Sequence, residues 1–230
     1  MGALKHLILV SLLGCTLSGD SVIDDSTVRT VEYVSRSTTS VIEQSRESSV
    51  EILSYDSEGR QVSGSGAYIR YKNTYFILTA AHVVADSSMA VVFYGDEKII
   101  AKVLYFSHET DLAILGIKGM FTRVPLKWRT ADPAIGDEVV YTGYPNGYPS
   151  LTIKGSVSGH VGSKVILHSY AWNGASGSAV LDRKGRIIGV LSAVDVGHAF
   201  GAIPQIIEDV VIVTSVHRLK IEDLLSSLST

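Results

Sequence analysis

The chain has 230 residues, of which 46% are apolar and 19% charged, enough to build a sizeable core in one large domain or two small ones. Its net charge of -3 and the lack of any Lys/Arg cluster exclude the basic face with which nucleic-acid-binding proteins neutralise phosphates. No nucleic-acid partner is expected.

The first 19 residues have the layout of an export signal: Lys5, an apolar run from Leu7 to Leu13, then small residues. That run is too short to span a bilayer, which takes about 20 apolar residues. The single cysteine, Cys15, follows Leu12-Leu13-Gly14 and resembles a bacterial lipobox, in which the cysteine is lipidated; a plain cleaved signal ending near Ser18 or Gly19 is the alternative. Either way the chain is expected to be exported to the periplasm or cell envelope, with a lipid at Cys15 as its one membrane attachment. The remaining domain has no cysteine, so its core must hold without disulfides.

Residues 20–48 are rich in Ser, Thr, Asp, Glu and Arg and read as a polar tether with little packing and a helical turn or two near Val41. From residue 49 to the end, a single domain is expected. Short apolar or alternating runs such as SVEILSYD, TYFILTAA, MAVVFYG and RIIGVLSAV are broken by Gly, Asn, Asp and Pro. Their Val, Ile, Tyr and Phe content and closely spaced turns predict antiparallel all-β architecture, a barrel or a sandwich. Hairpin turns are expected at Tyr55–Arg60, Tyr71–Thr74 and Asp182–Gly185. Candidate helices fall only in the tail from Pro204 to Ser229, where Ile221, Leu224, Leu225 and Leu228 share one helical face.

Three polar residues stand in apolar frames. His82 ends the run FILTAAH, Asp111 opens DLAIL, and Ser176 lies in WNGASGSAV. Taken singly, each has an ordinary reading as a satisfied histidine, a turn aspartate or a turn serine. Together they supply what acyl transfer needs. A serine hydroxyl is a weak nucleophile and requires a base; an imidazole has a suitable pKa; a carboxylate fixes the tautomer and stabilises the imidazolium. Backbone N–H groups must also meet the oxyanion, and the loop around Gly174 and Ser176 can supply them from those two residues. His108 near Asp111 shows no zinc-like ligand spacing, and no metal or cofactor is expected.

These motifs, in order, resemble a trypsin-fold serine protease, and most of all the HtrA (DegP-like) group, over roughly Ser49 to Pro204. SGSGA at Ser63–Ala67, LTAAHVV, TDLAIL, GDEVVYTGYP with GSVSG, GVLSA, and FGAIP at Phe200–Pro204 carry the likeness. The resemblance implies two packed six-stranded antiparallel β-barrels with the catalytic residues between them; the short helical tail is expected from its own spacing, and the 26 residues after Pro204 make a PDZ domain, usual in that group, unexpected here. The resemblance also implies a polypeptide substrate and a trimer. One departure concerns the GNSGG motif of that group, which here reads Gly174-Ala-Ser-Gly-Ser178; Ser178 stands where a close-packed glycine is usual. By position, Tyr170, Ala171, Ser192, Ala193 and Val194 line the pocket for the residue before the cut bond, with His168 and Ser169 nearby. With no acidic residue in these segments and Asp195 at the rim, a small or medium apolar side chain is expected there. His168 and His198 give an acidic side chain as the alternative. Two functions therefore compete: an endopeptidase acting on unfolded or extended polypeptide, and an inactive barrel protein that binds peptide, for which Ser178 argues. An α/β-hydrolase esterase is disfavoured by the order His, Asp, Ser.

Overall fold

The runs beyond residue 49 close into two six-stranded antiparallel barrels in a computed structural model that describes residues 40–84, 87–118, 125–145, 149–199 and 203–229. The side chains of residues 193–199 and 203–208 lie outside the description. So do the signal-like segment with Cys15 and most of the polar tether.

The first barrel is built from β1 (Ser49–Tyr55), β2 (Gln61–Tyr71), β3 (Thr74–Thr79), β4 (Met89–Tyr94), β5 (Glu97–Ser107) and β6 (Leu112–Ile117). The strands run β1-β2-β3-β6-β5-β4, and β4 returns to β1 with Val92 opposite Ile52. Val50 and Ile52 point inward, as alternation on β1 requires. Strands β3 and β6 instead carry continuous buried runs, Phe76-Ile-Leu and Leu112-Ala-Ile-Leu, because both their faces are covered.

After the short β7 (Lys127–Trp128), the second barrel comprises β8 (Glu138–Gly143), β9 (Leu151–Val161), β10 (Lys164–His168), β11 (Ala179–Asp182), β12 (Arg186–Ala199) and β13 (Ile203–Ser215). Their order is β11-β8-β9-β10-β13-β12, with β12 closing on β11 and β7 added in parallel to the outside of β12. Tyr141, Val165, Leu167, Val180, Leu191 and Val213 fill the interior. All three expected hairpin turns are present. Asp56 and Asp182 each accept two backbone N–H groups across their turns, and Lys72 takes a φ of +52° in the third.

Two expectations are corrected. The tail is not helical from Pro204, since Ile203–Ser215 is the strand that completes the second barrel. Its second half, Val210-Val-Ile-Val-Thr214, is β-branched throughout, and such side chains suit a pleated, half-buried surface better than a helix. Only the end is helical, α2 (Ile221–Leu228), where Ile221 and Leu225 are buried against the first barrel's core. The end of the tether, in turn, is packed. Residues 40–48 form a helix, α1, whose Val41 and Ile42 lie on the core and whose buried Ser45 bonds Thr142 Oγ1 on β8 at 2.8 Å. Here Val41, Ser45 and Ser48 share a face, a narrow stripe easily hidden in a polar segment.

Candidate active site

His82 sits in a 3-10 turn, Ala81–Val84, directly after β3. Ala80, Ala81, Val83 and Val84 are all buried, which leaves the imidazole as the one side chain of the turn that faces outward. The buried Ser54 hydroxyl donates to Val83 O at 2.6 Å and pins the turn to β1.

Asp111 ends the β5–β6 turn with a φ of +55°, a left-handed backbone that costs a non-glycine residue about 1–2 kcal/mol. Its carboxylate meets the histidine three times. Asp111 Oδ1 accepts the His82 backbone N–H at 3.1 Å, and both carboxylate oxygens lie 3.0 Å from His82 Nδ1. An ionised carboxylate can only accept, so in the neutral ring the Nδ1 proton faces Asp111 and Nε2 presents its lone pair. Burial pushes the Asp111 carboxyl up, but hydrogen bonds from the His82 ring and from Ser192 outweigh it and hold the group below the usual aspartate range.

Ser192 was expected to line a pocket, yet its hydroxyl donates to Asp111 Oδ2 at 2.5 Å. This bond to the carboxylate was not expected from the sequence. Its only signal was a polar residue inside the apolar run GVLSAV, 81 residues from its acceptor. Lys164 supplies a second support from the far barrel. Its ammonium donates to Thr110 O at 3.0 Å and to Thr214 Oγ1 at 2.7 Å, and Thr214 Oγ1 also donates to Thr110 O at 2.8 Å. Burial pushes Lys164 below the ordinary lysine value, against the pull of the Asp111 charge.

Ser176 lies in two consecutive turns. The N–H of Ala175 donates to Trp172 O at 2.9 Å and that of Ser178 to Ala175 O at 3.1 Å. Gly174 and Gly177 hold the third position of each turn with φ of +92° and +89°. A positive φ at that position alone defines a type II turn, so the spacing G-x-x-G is what the loop geometry demands. Ser176 occupies the second position of the second turn. Among the described residues, the N–H groups of Gly174 and Ser176 donate to no protein acceptor, while that of Gly177 goes to Leu191 O.

Ser178 fits its buried place without displacement. Its hydroxyl donates to Ala175 O at 2.7 Å and lies over Gly143, where an added Cβ would come within 2.4 Å of it. The absence of a side chain at Gly143 leaves the room that the Ser178 hydroxyl takes. The loop packs against the end of β3: a Cβ at Gly177 would fall 2.3 Å from Thr79 Oγ1 and 3.1 Å from Ala80 N. Ser176 is thereby brought beside the His82 turn. No hydrogen bond joins the Ser176 hydroxyl to the imidazole among the described contacts.

Of the other expected positions, Tyr170 is 57% exposed, next to the half-buried Ala171. The Ala193 and Val194 backbones pair with Ile212 and Val211, but their side chains, like those of Asp195 and His198, lie outside the described residues. His108 packs edge-on against Phe106.

The family model described as a trypsin-like peptidase domain matches residues 64–190. A serine protease DegP homolog of Plasmodium falciparum is 28% identical over 127 residues, covering 54% of this chain and 14% of that protein. The putative mitochondrial protease Do-like 3 of Arabidopsis thaliana is 34% identical over 151 residues, covering 57% and 26%. The chain thus spans about a quarter or less of these relatives' length. In fold it resembles the active form of the Rv3671c protease from M. tuberculosis, with a TM-score of 0.68, 20% identity and coverage of 96% of this chain and 94% of the other. The serine endoprotease from Yersinia pestis is similar, with a TM-score of 0.67, 20% identity and coverage of 83% and 66%. The matched segment takes in His82, Asp111 and Ser176 and more than half of the sequence, so the chain belongs to the trypsin-like peptidase family, where its relatives are DegP-like and Do-like serine proteases.

Proposed function

We propose that this chain is a serine endopeptidase that cleaves extended or unfolded polypeptide through an acyl-enzyme on Ser176. The reading rests on one observation above all: a histidine whose Nδ1 is held by a carboxylate, in a turn packed against the loop that carries Ser176.

In this reading the Ser176 hydroxyl oxygen attacks the scissile carbonyl carbon as His82 Nε2 takes its proton. The charge gained by the ring is balanced by Asp111, itself kept ionised by Ser192 and the ring. The new C–O⁻ is met by the N–H groups of Gly174 and Ser176, each worth about 3 kcal/mol at the transition state. His82 then returns the proton to the leaving amine as the C–N bond breaks. Water repeats the sequence in reverse, releasing the carboxylate product and restoring the serine. The exposed Tyr170 and Trp172, 57% and 53% accessible, flank the loop and offer apolar surface to the residue before the cut bond. This favours an apolar over an acidic side chain there.

The competing reading, an inactive peptide-binding barrel protein, leaned on Ser178. That support weakens because Ser178 is accommodated by Gly143. Labelling with a fluorophosphonate probe and digestion of an unfolded casein-type substrate separate the two. Endopeptidase activity predicts labelling and cleavage that Ser176→Ala abolishes; peptide binding by wild type without either would establish the competitor. Export belongs to the same proposal, and radiolabelled palmitate incorporated by wild type but not by Cys15→Ala would identify the lipidated form.

A further inference from the structure

Ser65 on β2 is completely buried and makes four hydrogen bonds, two of them to the loop around Ser176. Its hydroxyl donates to Gly174 O at 2.7 Å and accepts the N–H of Tyr144 at 2.8 Å. Its own N–H donates to Ser176 O at 2.8 Å, and its carbonyl accepts the Thr79 hydroxyl at 2.7 Å. A residue of the first barrel therefore grips a loop of the second from beneath.

The peptide units of that loop show what the grip accomplishes. In the Gly174–Ala175 peptide, the carbonyl is held by Ser65 Oγ and the N–H by Trp172 O. In the Ser176–Gly177 peptide, the carbonyl is held by Ser65 N and the N–H by Leu191 O. Between them, the Ala175 carbonyl is held by both the N–H and the hydroxyl of Ser178. The Ser176 N–H shares its peptide with the held Ala175 carbonyl and cannot turn, while the Gly174 N–H lies in the preceding Asn173–Gly174 peptide and is restrained through the anchored Gly174 carbonyl that follows it. Types I and II of a β-turn differ by a flip of the central peptide. The Gly174 amide sits in such a peptide, and its turn is anchored at the next carbonyl by Ser65.

We propose that Ser65 is a positioning residue that sets the direction of the Gly174 and Ser176 amides through the two loop carbonyls it holds. The proposal rests on reading Ser176 as the nucleophile of an endopeptidase. Ser65 touches no substrate. Its contribution is preorganisation, felt where charge develops on the substrate oxygen and not where the ground state binds. Replacing it with alanine removes the hydroxyl, and leaves Gly174 O and Tyr144 N without this partner in a space walled by Ser178 and Gly143.

The test uses the full chain as Ser65→Ala, with Ile52→Val in the first-barrel core as a control for general destabilisation. Hydrogen exchange read on the segment spanning residues 172–178 should be at least about tenfold faster in Ser65→Ala and unchanged in Ile52→Val. For peptide hydrolysis, kcat should fall about 10- to 100-fold with KM within about twofold, and affinity for a peptide boronate should fall by the factor lost in kcat/KM. Unchanged exchange in the loop, or a loss confined to KM, overturns the proposal. Should Ser65→Ala fail to fold, Ser65→Cys, with a similar side-chain size and a weaker donor, carries the same readouts. If wild type neither labels with fluorophosphonate nor cleaves peptide, it is the nucleophile reading that fails, and the exchange measurement alone decides for or against Ser65.

Discussion

Asp111 has two tasks, orienting His82 and staying ionised while partly buried, and both depend on the same three donors. Asp111→Asn keeps the shape but presents an amide to Nδ1, so the ring is held in the wrong tautomer. We expect kcat to drop about 10³- to 10⁴-fold with KM little changed. The same pair predicts a pH dependence of stability. Because the folded carboxyl titrates below its unfolded value, its contribution is complete above the unfolded pKa, about 4, and is lost as pH falls through the lower folded value. In urea titrations the stability difference between wild type and Asp111→Asn should be constant above about pH 5 and shrink below pH 4. A difference that grows on acidification would contradict the assignment. Gly143→Ala makes the complementary test of the loop. Its Cβ would meet Ser178 Oγ at 2.4 Å and Ser65 Oγ at 3.0 Å, so a loss of about 2–3 kcal/mol is expected against wild type, partly relieved in the double variant with Ser178→Gly, which removes the closer of the two contacts. The His82–Asp111 pair was legible in the sequence because each residue bounds an apolar run with a polar group, as was the turn character of the loop around Ser176. The bonds of Ser192 and Ser65 were not legible, since a serine's hydrogen-bond partner 81 or 109 residues away leaves no mark on local pattern.

At the scale of elements, α1 shows where a composition argument fails. A segment of Ser, Glu and Arg can still bury one face, and α1 reaches β8 and β9 through Ser45 to Thr142 and Arg46 to Thr152 at 3.1 Å. Removing residues 1–48 should therefore cost about 2–4 kcal/mol and lower the melting temperature by about 5–15 °C, measured by calorimetry. If residues 40–48 were only a tether, the melting temperature would not move. Strand β13 failed to be recognised for the opposite reason: Pro204-Gln-Ile-Ile-Glu-Asp lacks the alternation of a half-exposed strand, and the β-branched run that follows was read with it. Strands in the first barrel and the three hairpins were legible because alternation and turn chemistry agreed there. The tail helix was legible from spacing alone, and Leu225, fully buried on α2, should cost about 2–4 kcal/mol when changed to alanine.

Considered as a whole, the molecule keeps its site on a seam, and bonds across that seam decide whether the parts meet. Ser65 to Gly174 and Ser176, Ser192 to Asp111, and Lys164 with Thr214 to Thr110 each join one barrel to the other. The last of these bears on strain. Asp111 holds a left-handed backbone, and the carbonyl just before it is fixed by two donors from β10 and β13. Relaxing that carbonyl would let Asp111 turn and draw the carboxylate from the ring. Lys164→Met removes the stronger, charge-assisted donor, worth about 1.5–3 kcal/mol in a bond of this kind. Part of that is retained by Thr214, so kcat/KM should fall about 3- to 10-fold. Thr214→Val alone should do less, because Lys164 still reaches Thr110 O. The two donors share one acceptor and bond one another, so the double variant should lose more than the product of the single effects, with a coupling above about 0.5 kcal/mol. Additive losses would mean that the lysine and the threonine act on the site separately, and that the strain at Asp111 is held within its own barrel.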